Sequence, residues 1–184
     1  MFILYAIPIG ILAGYLLGGR LDRLGTLRLR WVPLALSGLA IQVVLAAEPL
    51  GTWPAGVVPA IYQASTLLVL VAVLRNLAVP GVAVIALGAA CNLVAIVANG
   101  GWMPADPEAL ASVGILPSGP TNSIVVGDPA LRPLTDVFAT PAWLPLANVF
   151  SIGDVLIGIG VAATIALAMR RPAVSPLARP GDGS

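Results

Sequence analysis

Long uncharged stretches of apolar residues dominate this chain, separated by short segments that hold arginine, glycine and proline. A helix needs about 20 consecutive apolar residues to cross the ~30 Å hydrocarbon layer of a bilayer. Helices surrounded by lipid are apolar on every side, so no amphipathic period is expected. The pattern predicts an all-α fold, a polytopic membrane helix bundle with five transmembrane helices at residues 2–18, 31–47, 54–74, 79–98 and 146–169.

The arginines set the orientation of this predicted bundle. With five spans, eight of the nine basic residues fall at one end, and only Arg132 falls at the other. The positive-inside rule makes the arginine-rich end cytoplasmic, which puts the N-terminus outside and the C-terminus inside. All four tryptophans lie at predicted span edges, where an aromatic ring suits the headgroup level.

One bundle, one long loop and one tail make up the predicted organisation. Residues 1–169 form a single transmembrane bundle, and the Pro/Gly-rich segment 170–184 is expected to be a disordered cytoplasmic tail. The external loop 99–143 is long, and loops of this length are usually functional or disordered. We expect it to pack onto the bundle and to offer a contact surface for a membrane-protein partner. Its candidate residues are Asn99, Trp102, Asp106 and Glu108.

Composition narrows the chemistry that this chain could carry. Apolar residues make up 59% and charged residues 9%, whereas soluble domains have about a quarter charged. The net charge of +1 leaves no basic field for nucleic acid. The absence of histidine excludes imidazole ligands and bases, and a single cysteine, Cys91, excludes a Cys-cluster metal site. We therefore expect no metal, no cofactor and no nucleic acid, with the lipid bilayer as the surrounding partner.

Asp154 is the one carboxylate in the last predicted span, and ionisable residues inside membranes are functional candidates by default. The sequence allows two depths of Asp154 below the outer membrane surface, which depend on where the last helix starts. A helix that starts near Trp143 would bury Asp154 about 16 Å deep. A helix that starts near Phe150 would leave Asp154 one turn from the outer face, where a carboxylate suits the helix dipole.

Other polar residues are expected at a similar height in the bundle. They could satisfy one another as interhelical hydrogen bonds, or they could form a substrate or proton site. The expected intramembrane polar cluster comprises Asp154, Asn148, Ser151, Gln63 and Asn92.

The segment between the first two spans holds a second charged cluster. It is interpreted as a cytoplasmic topology anchor in which Asp22 pairs with Arg20 or Arg23, or as a contact for anionic lipid or a partner. The residues of this cytoplasmic cluster are Arg20, Asp22, Arg23, Arg28 and Arg30.

Three segments, GGRLDRLG, NGGWMP and FSIGDVLIGIG, on a five-span plan resemble a family of small bacterial membrane proteins catalogued as a domain of unknown function, DUF5317. The likeness covers most of the chain. It implies the bundle fold and a multi-pass location in the bacterial cytoplasmic (inner) membrane, and it implies no activity.

Residues 134–160 also resemble the C-terminal half of signal peptidase II, the aspartyl enzyme that cleaves prolipoproteins in bacterial membranes. The resemblance implies that Asp136 and Asp154 match its two aspartates, which could share a proton and act as base and acid. Several residues depart from that family's motifs, namely Pro133, Val137, Ser151 and Gly153.

Three functions follow as alternatives. The first is a non-catalytic accessory, scaffold or assembly protein that binds a partner through its external loop. The second is an intramembrane aspartyl peptidase that uses Asp136 and Asp154. The third is a small transporter or permeation subunit centred on Asp154, although transporters usually show internal repeats that this sequence lacks.

Overall fold

The computed structural model describes residues 2–47, 53–54, 56–115 and 123–170. The predicted tail beyond residue 170 and the part of the external loop at 116–122 lie outside the described residues. The described chain is mostly helical. Its α-helices are α1 (Ala6–Leu16), α2 (Val32–Ala47), α3 (Val57–Leu74), α4 (Val82–Ala98), α5 (Pro107–Ser112) and α6 (Ile152–Arg170). Short 3-10 helices occupy Phe2–Tyr5, Leu21–Thr26 and Arg132–Leu134.

Two of these helices, α3 and α6, are long and apolar enough to cross a membrane. Three shorter apolar helices, Ile3–Leu16, Val32–Leu45 and Val82–Ala98, occupy the other three predicted spans. Each of the five predicted spans therefore contains an apolar helix, and two of the five have the full length expected of a transmembrane helix.

Local chemistry explains where the helices stop and start. At the end of α1, Gly18 has a φ of 74°, and Gly19 donates to the carbonyl of Gly14 over 2.8 Å. This arrangement is a Schellman cap, whose left-handed residue is usually glycine because it has no Cβ. Gly81, with a φ of 91°, likewise precedes α4 and makes that helix begin at Val82, three residues later than predicted.

The last helix also begins later than predicted, at Ile152 and not at residue 146. The chain before it is extended, because Val149–Phe150 (β4) pairs antiparallel with Phe138–Ala139 (β3). Ser151 then caps the helix, and α6 runs for 19 residues to Arg170. Asp154 therefore lies in the first turn of α6, which agrees with the later of the two helix starts considered.

The five long helices pack in the order α2, α3, α4, α6, α1, and small residues mark the close contacts. A Cβ placed on Gly88 would lie 2.4 Å from the carbonyl oxygen of Gly153, and one on Gly10 would lie 2.9 Å from Ala162. Glycine at such positions lets helix backbones approach closely, as is common between membrane helices. The helices α4 and α6 run antiparallel, since Gly81 lies beside Gly160 and Gly88 lies beside Gly153.

The external loop has regular structure of its own, which the all-α prediction missed. Strand β1 (Met103–Pro104) pairs parallel with β2 (Ser123–Ile124), and Ala105 bridges to Asp136. Each strand has only two residues, too few for an alternating hydrophobic pattern to reveal. Ala105, Leu110 and Val149 form a small core beneath α5. We call the described residues 99–115 and 123–150 the outer cap.

Candidate functional site

The polar side chains at the N-terminal end of α6 form a capping box. The backbone N–H of Asp154 donates to Oγ of Ser151 over 3.1 Å, and the N–H of Ser151 donates to Oδ2 of Asp154 over 3.2 Å. This reciprocal pairing satisfies backbone donors that have no partner within the helix. Asp154 also places a negative charge at the positive end of the helix dipole. The sequence motif Ser-x-x-Asp is therefore the local cause of the helix start.

Asn92 of α4 extends this box to a second helix. Its Nδ2 donates to Oδ1 of Asp154 over 2.8 Å, and its Oδ1 accepts from Oγ of Ser151 over 2.9 Å. Ser151 is fully buried, while Asn92 and Asp154 are partly buried. The three side chains thus form a closed hydrogen-bonded ring that joins the outer ends of α4 and α6.

Two other members of the predicted cluster lie elsewhere. Gln63 on α3 points at Gly101, whose added Cβ would lie 2.3 Å from Nε2 of Gln63. The backbone of Asn148 pairs with Thr140, donating to its Oγ1 over 2.8 Å. Gln63 therefore packs against the start of the outer cap, and Asn148 supports the β3–β4 pair.

Asp136 is buried in the outer cap. Its backbone is held on both sides, since its N–H donates to Pro104 and its carbonyl accepts from Asp106. Burial, and secondarily the charge of Asp154, raises the pKa of Asp136 to about 7. The structure thus puts the two predicted aspartates in the same region, with different surroundings.

Two candidate residues in the first part of the external loop, Asn99 and Trp102, make contacts within the chain. Asn99 donates to the carbonyl of Ala130 over 2.9 Å and accepts from its N–H over 2.9 Å. Trp102 packs against the apolar core at the outer ends of α2, α3 and α4. These contacts hold residues 99–105 and 130–136 against the bundle.

Asp106 combines a helix cap with an ion pair. Its Oδ1 accepts from the N–H groups of Glu108 and Ala109, and its Oδ2 lies 3.0 Å from Arg132. The bond from Ala109 and the guanidinium of Arg132 hold the pKa of Asp106 below its usual range. Glu108 follows in the exposed first turn of α5. A cavity of about 260 Å³ opens between this turn and residues 125–137.

The charged cluster predicted between the first two spans separates into arginines with partners and arginines that no described carboxylate pairs with. Arg20 binds Asp22 through two hydrogen bonds of 3.2 and 3.1 Å, which lower the pKa of that carboxyl. Arg23 donates to the carbonyls of Met169 and Arg170 at the C-terminus of α6, where a cation suits the dipole. Arg28 and Arg30 are exposed, and no carboxylate among the described residues pairs with them.

Sequence reasoning missed one feature at the arginine-rich end of the bundle. Asn76, just beyond α3, accepts from the N–H of Arg30 over 2.7 Å and donates to its carbonyl over 2.8 Å. An asparagine beside a turn is common, so only the tertiary contact shows its role.

The chemistry available at the outer end is that of carboxylates, amides and hydroxyls. Within the described residues, no three His, Cys, Asp or Glu side chains come together as a metal site would require. The oxygens of Asp154 accept from Asn92 and Ser151, so this carboxylate is already engaged. The hydrogen bonds of Asp154 therefore suit a structural role, in which they hold α4 and α6 together. Asp136, with a pKa of about 7, is the group in this region that could exchange a proton near neutral pH.

Comparison with known proteins gives one match. The profile of a family of unknown function, DUF5317, matches residues 26–166, which include α2 to α5, the outer cap and most of α6. No curated protein and no solved structure matches the chain significantly. The resemblance to DUF5317 is thereby confirmed over more than half of the chain, whereas the likeness to signal peptidase II stays a prediction. The chain belongs to the DUF5317 family, a family of unknown function.

Proposed function

We propose that this protein is a five-span protein of the bacterial cytoplasmic membrane that serves as a non-catalytic accessory or assembly protein. In this proposal α1, α2, α3, α4 and α6 cross the bilayer with the N-terminus outside, and the outer cap contacts a membrane-protein partner. Hydropathy of the five apolar helices and the distribution of arginines support the membrane placement.

One observation carries the accessory role: five polar side chains at the outer end are engaged in hydrogen bonds within the chain. Asp154, Asn92 and Ser151 close a ring, Asn99 holds Ala130, and Asp106 caps α5. Such bonds make the outer cap a preorganised surface, and preorganisation reduces the entropy cost of binding. A catalytic group, by contrast, needs free capacity to hold a reactant.

Photocrosslinking in intact membranes tests this role. A photoreactive amino acid would replace exposed Glu108 or Asp128 of the outer cap, and a matched control would replace exposed Arg28 at the opposite end. We expect a discrete adduct from the outer positions, none from Arg28, and the same adduct when Asp136→Asn and Asp154→Asn are added. Absence of any adduct from both outer positions would contradict the proposal.

A second candidate is the aspartyl peptidase, which is supported by the burial of Asp136 and by the contribution of the charge of Asp154 to its raised pKa. A carboxyl dyad works with one group protonated and one ionised, which a pKa of about 7 for Asp136 allows near neutral pH. Under this alternative, Asp136→Asn and Asp154→Asn would each abolish processing of a membrane-anchored reporter substrate while the folded protein persists in the membrane. Under the accessory role, both variants would keep their cellular phenotype if they stay folded.

A further inference from the structure

An apolar groove lies at the arginine-rich end of the bundle, between the α2–α3 pair and the α4–α6 pair. Its volume is about 300 Å³, at the lower end of the range of ligand pockets. All four helices contribute walls, among them Leu36 of α2, Val73 of α3, Ile85 of α4 and Val161 of α6. Leu36 is 59% exposed, so the groove opens to the surroundings of the bundle.

The packing of the helices explains why the groove exists. α2 packs mainly against α3, where Gly38 meets the backbone of Ser65, and it does not close against α6. Asn76 fixes the loop before α2 by its two hydrogen bonds to the backbone of Arg30. The groove is therefore bounded by ordered backbone at the end that Arg30 lines.

The end of the groove that Arg30 lines carries positive charge, and no described carboxylate pairs with it. Arg30 lines the groove, and Arg75, at the end of α3, lies over the ring of Trp31 at 5.9 Å. In the described part of the chain, neither arginine nor nearby Arg28 pairs with a carboxylate, because Asp22 is held by Arg20. An apolar groove with the guanidinium of Arg30 at one end, and two more arginines at the same end of the bundle, complements a molecule that has a hydrocarbon chain and an anionic head.

We propose that this groove binds one acyl chain of an anionic phospholipid from the cytoplasmic leaflet, with the lipid phosphate held by Arg30. The guanidinium of Arg30 donates hydrogen bonds to the phosphate oxygens, while Arg28 and Arg75 add to the local positive potential. The proposal rests on the membrane placement given under the proposed function, since it needs the arginine-rich end to meet the inner leaflet. It adds a specific ligand to that placement.

Native mass spectrometry of the purified protein, titrated with phosphatidylglycerol or phosphatidylcholine, tests the site. We expect the first phosphatidylglycerol to bind more tightly than phosphatidylcholine, and Arg30→Gln to weaken it roughly fivefold. Arg30→Gln leaves the loop in place because Asn76 holds only its backbone. Arg20→Gln is the matched control, since it removes the same charge at the same end from an arginine already paired with Asp22.

Two further measurements separate the contribution of the acyl chain from that of the lipid headgroup. Val161→Phe should fill the groove and weaken binding of the lipid, and glycerophosphoglycerol, the headgroup without chains, should bind far more weakly than the lipid. Equal effects of Arg30→Gln and Arg20→Gln would overturn the site, as would headgroup binding as tight as that of the lipid. A dimer that Val161→Phe disrupts would also overturn it, because a second copy would then occupy the groove.

The failure of the proposed membrane placement would look different. Extraction of the protein from membranes by alkaline carbonate without detergent would refute the placement itself. Retention in the membrane together with indifference of lipid binding to Arg30→Gln would refute only the lipid site.

Discussion

The carboxylate of Asp154 serves two helices at once, because it caps its own helix and accepts from Asn92 of α4. Buried or half-buried polar groups cost free energy unless each has a partner, so removing one partner leaves the others unsatisfied. The side chains of Ser151, Asn92 and Asp154 therefore form one hydrogen-bonded unit, in which the loss of one leaves the others without a partner. Its stability contribution is testable without knowing any ligand.

We expect Asp154→Ala to lower the free energy of unfolding by about 1–3 kcal/mol, because it removes the cap and leaves Asn92 without its acceptor. Asp154→Asn should cost less, since its amide oxygen still accepts a hydrogen bond. Thermal unfolding in detergent, followed by tryptophan fluorescence, measures both. Asp128→Asn, in an exposed part of the outer cap, is the control. Equal stability of Asp154→Ala and wild type would rule out the structural role.

The titration of Asp136 gives a second prediction at this scale. Its pKa, about 7 in the folded protein, exceeds the ~3.9 expected for the unfolded chain. The folded state therefore binds more protons between these values, and the associated stability is complete below pH ~4 and is lost as the pH rises through 7. Asp136→Asn should remove this component of the pH dependence.

The measurement is the melting temperature of wild type and Asp136→Asn at a series of pH values from 4.5 to 8. The difference between the two curves isolates Asp136 from other titrating groups. Asp154→Asn should move the wild-type midpoint to lower pH, because the charge of Asp154 is one cause of the raised pKa. A difference curve that is flat across this range would contradict the assignment.

At the scale of the elements, glycines decide how closely α4 and α6 approach. A Cβ on Gly153 would lie 1.9 Å from Oδ1 of Asn92 and 2.7 Å from the carbonyl oxygen of Gly88. The close approach that these glycines permit is also what brings Asn92 within hydrogen-bonding distance of Asp154. Helix packing and the polar ring are thus two consequences of one contact.

We expect Gly153→Ala to lower stability by about 1–3 kcal/mol, the usual cost of overpacking a close contact. The methyl group would strike Asn92 and force α4 and α6 apart. Gly127→Ala is the matched control, since an added Cβ there meets nothing within 4 Å. Melting temperatures in one detergent compare the two variants, and an undiminished value for Gly153→Ala would exclude this account of the helix contact.

At the scale of the whole molecule, the two ends of the bundle differ in charge and in structure. The outer end carries the folded cap with Asp106, Glu108, Asp128 and Asp136, whereas Arg20, Arg23, Arg28, Arg30 and Arg75 lie at the other end. In the proposed placement, the membrane separates these ends. Their accessibility from each side of the membrane is therefore a direct test.

We expect single cysteines at Glu108 and Asp128 to react with a membrane-impermeant maleimide in intact spheroplasts. Cysteines at Arg28 and Arg75 should react only after lysis, because the positive-inside rule puts that end in the cytoplasm. The background variant Cys91→Ala removes the native thiol, which lies partly buried on α4. Labelling of Arg28→Cys before lysis would refute the proposed orientation.

The sequence by itself determined what depends on neighbours along the chain. Apolar runs predicted helices at all five positions, and the length of the loop 99–143 marked the segment that forms the outer cap. Even Ser-x-x-Asp at 151–154 is a local signal, since a capping box involves one turn of one helix. These features need only short-range sterics, hydropathy and hydrogen bonding.

Tertiary structure alone decided which distant residues meet. Asn92 and Gln63 looked alike as partners of Asp154, yet only Asn92 bonds to it, because helix rotation and the close contact at Gly88 and Gly153 put it in reach. The strands of two residues, the burial of Asp136 and the groove at Arg30 likewise arise from contacts between segments far apart in the chain. A hydropathy profile averages residues that are adjacent in the sequence. These contacts depend instead on how whole helices are rotated and spaced.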